Sequence, residues 1–150
     1  QTETVDVAGM DGWARTENYD LYKNQYIKIT GENAPMFIGP DLPEGMRMKD
    51  MLYNKLGKDL LLSVSKAQEK YGTTTMNGKS GVAIDKIFQE LKIREAAKYK
   101  LTGSDGVETE ISLEELKKGI LTLSDGGIDG VFEGPDAVSV KGLLFIKAAE

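Results

Sequence analysis

The sequence contains no cysteine and no histidine. The first absence removes disulfides, thiolate metal ligands and a thiol nucleophile. The second removes an imidazole base, a Ser-His triad and any histidine-held metal or haem. Chemistry is left to carboxylates, lysine, tyrosine or a bound cofactor, with oxygen-ligated calcium or magnesium still open. Basic charge is short as well. The 19 Lys and Arg face 24 Asp and Glu, for a net charge of −5, which disfavours nucleic acid and anionic membrane surfaces as partners. No apolar run approaches the ~20 residues that a membrane helix needs. The lack of cysteine fits reducing and oxidising compartments alike. A chain that opens Gln1-Thr2-Glu3 without an initiator Met is expected to be a mature or trimmed chain, which favours an extracytoplasmic or secreted location.

What is present describes an ordinary globular domain. The chain has 150 residues, 40% hydrophobic and 29% charged, enough to bury a core and too apolar for wholesale disorder. The expectation is one α+β domain over residues 26–150, with a mixed β-sheet and short helices, preceded by a loose arm over 1–25 whose single Trp13 caps the edge of the core. Residues 26–30 alternate as a half-buried strand. Pro35, Gly39, Pro40, Pro43 and Gly45 crowd into a loop. Met48, Met51, Leu52 and Leu56 fall at helical spacing before Gly57, which predicts a helix with a glycine cap, and residues 60–64 follow as a buried strand. Ser80 is positioned to cap a helix whose apolar face is Ile84, Ile87, Phe88 and Leu91. Tyr99 and Leu101 lie in a strand that turns at 103–106 and returns over 107–111. Ser112 and Glu115 make a capping box for a short helix ending at Gly119. Residues 120–123 form another strand. The acid-and-glycine run 125–130 lacks the EF-hand ligand pattern and is read as a polar turn. Residues 137–146 close the sheet, with a bulge at Gly142.

The most functional-looking stretch is Tyr71-Gly72-Thr73-Thr74-Thr75, followed by Asn77-Gly78 and Ser80-Gly81. Hydroxyls and glycine-exposed amides there suit an anion or a polar ligand. Asn-Gly is equally an ordinary tight-turn dipeptide, and threonine runs favour strands. It is not a P-loop, because Thr73 stands where the upstream glycine belongs. The candidate ligand site is Tyr71, Thr73, Thr74, Asp105 and Gly134, on loops at one edge of the sheet, although turn formation explains each of these residues as well. No catalytic or metal-ligating set is assigned. Hydrolysis by paired carboxylates needs two acids of unequal pKa at fixed separation, and Asp105, Asp125, Asp129 and Asp136 all sit in turn chemistry.

The order of motifs from Tyr71 to Ile146 resembles the molybdopterin-binding domain of the sulfite oxidase type, in its small stand-alone bacterial form. The pieces that carry the resemblance are Tyr71-Gly72-Thr73, Gly81-Val82-Ala83-Ile84-Asp85-Lys86-Ile87-Phe88 and the Ser104-Asp105-Gly106 turn. The helix start Ile111-Ser112-Leu113-Glu114-Glu115-Leu116 and Gly134-Pro135 before a final apolar strand follow, with the opening strand Ile27-Lys28-Ile29-Thr30-Gly31. Catalytic members of that family hold molybdenum through a cysteine thiolate and use histidine and arginine around the pterin. This chain has neither cysteine nor histidine, and Asp136 follows Gly134-Pro135 where the resemblance favours a basic residue. The resemblance therefore implies a non-catalytic, extracytoplasmic binding or accessory module without a resident cofactor, whose partner is an unidentified protein or a small polar ligand. The alternative is a redox protein carrying non-covalent molybdopterin or flavin.

Overall fold

Thr4-Val5-Asp6-Val7 alternates polar and apolar, and in the computed structural model it forms the first strand, with Val5 and Val7 fully buried. The structure describes residues 4–40, 42, 47–57, 59–125, 127–133 and 139–149. By their internal packing these divide into two compact units, 1–66 and 67–150. Strand accounts for 49% and helix for 19%, so the class is strand-rich α+β.

In the first unit the strands are β1 (Thr4–Gly9), β2 (Ala14–Asn18), β3 (Tyr26–Lys28), β4 (Met36–Ile38), β5 (Met51–Leu56) and β6 (Asp59–Leu62), with α1 (Tyr19–Tyr22) between β2 and β3. They make a sheet of order β2-β1-β5-β6 and a β3-β4 ribbon. Asn18 caps α1, its side chain accepting from the Asp20 amide at 2.8 Å. Val5, Val7, Phe37, Leu42, Met48 and Met51 form the core, with Tyr19, Leu21, Tyr22, Ile27 and Leu56 packed around it. Each such side chain contributes about 1.5–3 kcal/mol by leaving water.

Two expectations are corrected here. Within the loose arm expected over 1–25, residues 4–18 form a hairpin whose β1 is paired on both sides, Val7 standing opposite Arg15 in β2 and opposite Asn54 in β5. Trp13 lies beyond the hairpin turn, 43% exposed, instead of on the core. The helix predicted through Met48, Met51, Leu52 and Leu56 is β5. Met51 and Leu52 are both buried in a strand that takes its ladder partners from β1 on one side and β6 on the other.

The boundary between the units falls within α2 (Val64–Tyr71). The second unit contains β7 (Thr74–Met76), β8 (Lys79–Ala83), α3 (Ile84–Leu91), β9 (Lys98–Gly103) and β10 (Glu108–Ser112). It continues with α4 (Leu113–Lys117), β11 (Ile120–Ser124), β12 (Gly127–Val131), β13 (Ser139–Val140) and β14 (Leu143–Ala149). One sheet runs β13-β12-β11-β8-β7 and another β10-β9-β14. Every pairing among the described strands, in both units, is antiparallel, so the expected mixed sheet is corrected: none of the paired strands is joined through a parallel crossover.

Local chemistry explains most of these elements. Asn77 and Gly78 have φ of 52° and 77°, the left-handed pair that a two-residue hairpin loop requires. Ser112 caps α4 in a complete capping box, and the Gly119 amide closes the helix on the Leu116 carbonyl at 3.1 Å. The apolar face of α3 is buried through Ile84, Ile87 and Phe88, with Phe88 meeting Tyr99 edge-on at 6.0 Å. Ser80 does not cap α3. It belongs to β8, and the cap residue is Ala83, which has no side-chain acceptor. The closing strand divides at 141–142: β13 pairs with β12, β14 pairs with β9, and the irregularity lies between Leu143 and Phe145 instead of at Gly142.

Candidate binding face

The alternation Lys98-Tyr99-Lys100-Leu101-Thr102 gives β9 two unlike faces. Tyr99 and Leu101 are buried. Lys98, Lys100 and Thr102 point the other way, into an open trough of ≈ 760 Å³ on the outer face of β10-β9-β14. The register sets out its rows: Glu110, Lys100 and Lys147 stand side by side, and Glu108, Thr102 and Phe145 form the next row. The Glu110 carboxylate lies 3.4 Å from the Lys98 ammonium. Lys100 and Lys147, opposite each other, have no ion pair among the described residues. Phe145 is 64% exposed beside them. An aromatic ring next to two uncommitted cations is suited to holding carboxylate-bearing or flat anionic groups.

A smaller depression of ≈ 260 Å³ opens near β8, β11 and β12 and is lined by Lys79, Ser80, Thr122, Leu123, Ser124 and Asp129. Thr74 faces Gly81 across the β7–β8 ladder, and Thr122 faces Asp129 across β11–β12. The Thr122 hydroxyl donates to the Asp129 carbonyl at 3.4 Å, and the Asp129 carboxylate accepts the Gly142 amide at 2.9 Å. Asp129 thus fixes the 141–142 connection to β12.

The structure separates the residues of the expected ligand site. Tyr71 ends α2, Thr73 lies in the link to β7, and Thr74 opens β7. These three are neighbours along the chain. Asp105 belongs to the β9–β10 turn, where it accepts from the Val107 amide at 2.9 Å. That turn is tied to the β13–β14 connection by the Ser104 amide donating to the Gly142 carbonyl at 2.7 Å. Thr74 opens β7, one edge of the five-stranded sheet, whereas the turn that holds Asp105 is tied to the connection that follows β13, the opposite edge. Gly134 lies outside the described residues. The expectation of one loop cluster therefore does not describe Tyr71, Thr73, Thr74 and Asp105. Lys100 and Lys147 were unmarked in the sequence, although the alternation in β9 already assigns Lys100 to the open face.

In the first unit the side chains of Arg15 and Glu17 are both withdrawn from solvent, at 13% and 3% exposure. They make an ion contact in which Arg15 Nη2 and both Glu17 oxygens lack an aligned hydrogen-bond partner. Burial pushes the Glu17 carboxyl above its ordinary pKa, and the Arg15 charge pulls it back only in part. Nearby in the same sheet Asn54 donates to the Tyr22 hydroxyl at 3.3 Å, while its Oδ1 has no partner among the described residues.

Compared with protein-family models, with curated proteins and with solved structures, the chain yields no match. No described helix is long and apolar enough to cross a membrane.

Proposed function

We propose that this chain is a non-catalytic binding or accessory module that takes an extended polypeptide partner along β14. The observation that carries the reading is the outer strand itself. Leu144, Phe145 and Ile146 are 59%, 64% and 36% exposed on β14, which among the described strands pairs with β9 alone, and a sheet edge bearing large apolar side chains is a template for strand addition. The missing thiolate and imidazole favour binding over turnover. The finer proposal, an extracytoplasmic module on a sulfite oxidase-like molybdopterin-domain scaffold that has lost its metal ligand, rests on the order of its sequence motifs.

A second reading, a redox protein with non-covalent pterin or flavin, draws on the trough, where Phe145 offers a stacking surface beside Lys100 and Lys147. Native mass spectrometry with a visible absorption spectrum, on protein purified from its own source, separates the two. A colourless protein at the bare chain mass supports the binding module. A bound pterin or flavin overturns it.

A further inference from the structure

Natural sheet edges are guarded by bulges and by lysine, and β14 carries both. The register shift between Leu143 and Phe145 disrupts the beginning of the strand, and Lys147 stands in its regular part. Residues 145–149 are left as a short edge in regular register with β9. Lys147 is already opposed by Lys100, so an added strand that sets a third cation against it is disfavoured.

This condition selects a register. In antiparallel pairing of β14 with another β14, directly opposed residues share a face of the sheet. A two-fold axis at Lys147 opposes the two lysines and is excluded. With the axis at Ile146, Phe145 lies against Lys147 of the second copy, and Lys147 against Phe145 of the second copy. Leu144 then meets Ala148, a large side chain against a small one, and Ile146 meets itself. Each cation gains an aromatic face, and each exposed apolar side chain gains cover. One strand thus supplies both halves of the pairing, ring and cation two residues apart on the same face, which is the self-complementarity an isologous interface demands.

We infer that the chain forms a two-fold dimer by antiparallel pairing of β14 with β14, with Ile146 on the axis, joining two three-stranded sheets into one of six strands. The inference rests on the reading of β14 as the docking edge and names a second copy as its occupant. A contact this short belongs among small interfaces with micromolar dissociation constants.

Sedimentation equilibrium of the full chain, over about 1–200 μM to bracket that range, provides the test. The weight-average mass is expected to rise with concentration towards twice the monomer value. Phe145→Lys opposes two cations at two symmetric positions and is expected to weaken association by at least roughly tenfold. Adding Lys147→Glu to it makes two opposite-charge pairs and is expected to restore association to within about threefold. Phe145 and Lys147 are both exposed, so both variants are expected to keep the wild-type circular dichroism spectrum. A wild-type protein that stays monomeric at every concentration overturns the dimer, as does a dimer indifferent to Phe145→Lys. A bound pterin or flavin in the native mass spectrum overturns the module reading instead, and the mass–concentration curve distinguishes that failure from this one.

Discussion

Lys147 stands directly across from Lys100 in the β9–β14 ladder, two cations side by side on an open sheet face. Glu110, on the other flank of Lys100, has its carboxylate 3.4 Å from Lys98. The geometry sets a local repulsion beside the exposed ring of Phe145.

Replacing Lys147 with Glu turns the like-charge pair into an opposite-charge pair. Cross-strand pairs of this kind are worth about 0.5 kcal/mol at an exposed position. Urea unfolding of dilute Lys147→Glu protein is expected to show that gain at low salt and to lose most of it at about 1 M salt, where screening is nearly complete. An unchanged or lower midpoint contradicts the repulsion.

Glu17 is expected to make the first unit sensitive to pH. Its pKa is raised by burial and lowered in part by Arg15. A carboxyl raised in the folded state contributes stability that is fully present below its ordinary pKa and is lost as pH rises through the folded value. The fluorescence of Trp13, the sole tryptophan, reports on this unit. Between about pH 4 and pH 8 its unfolding midpoint in wild-type protein is expected to fall relative to Glu17→Gln. Parallel curves for the two proteins remove the claim.

Gly119 and Phe132 are in near contact. A Cβ at residue 119 would lie 2.3 Å from the Phe132 ring and 2.9 Å from the Val131 carbonyl oxygen, and Phe132 is buried to 2% exposure. Neither neighbour can withdraw freely, so Gly119→Ala is expected to cost about 1–3 kcal/mol by overpacking. Phe132→Ala is expected to cost about 3–5 kcal/mol by leaving a cavity. Chemical unfolding of the second unit measures both, and a neutral Gly119→Ala contradicts the close approach.

Ser112 accepts the Glu115 amide at 3.2 Å while Glu115 accepts the Ser112 amide at 3.2 Å. Ser112→Ala is expected to destabilise α4 by about 1 kcal/mol, and Ser112→Asn or Ser112→Asp much less. Thermal melts of the three variants check the order.

What the sequence disclosed was local. The Ser112 capping box, the Asn77-Gly78 turn and the apolar face of α3 each depend on residues within a few positions of one another, and each is present. What it concealed was set by distant neighbours. Met48, Met51, Leu52 and Leu56 fit helical spacing, yet pairing with β1, some 45 residues earlier in the chain, makes 51–56 a strand. The alternation at Val5 and Val7 was a readable sign of β1, overshadowed by the polar, glycine-bearing residues around it. The separation of Thr74 from Asp105 depends on sheet order, which loop composition does not encode. The exposure of Phe145 has the same origin: a run such as Leu143-Leu144-Phe145-Ile146 signals burial until the strand is placed at an edge.

Amide hydrogen exchange, resolved by residue across β14 at low and high protein concentration, tests the docking edge most directly. Amides bonded to β9 should be slow throughout. The alternating, outward-facing amides of 145–149 should be fast in dilute protein and slow progressively as concentration rises. Uniform protection of β14 in dilute protein, or outward amides still fast at the highest concentration, would contradict the account.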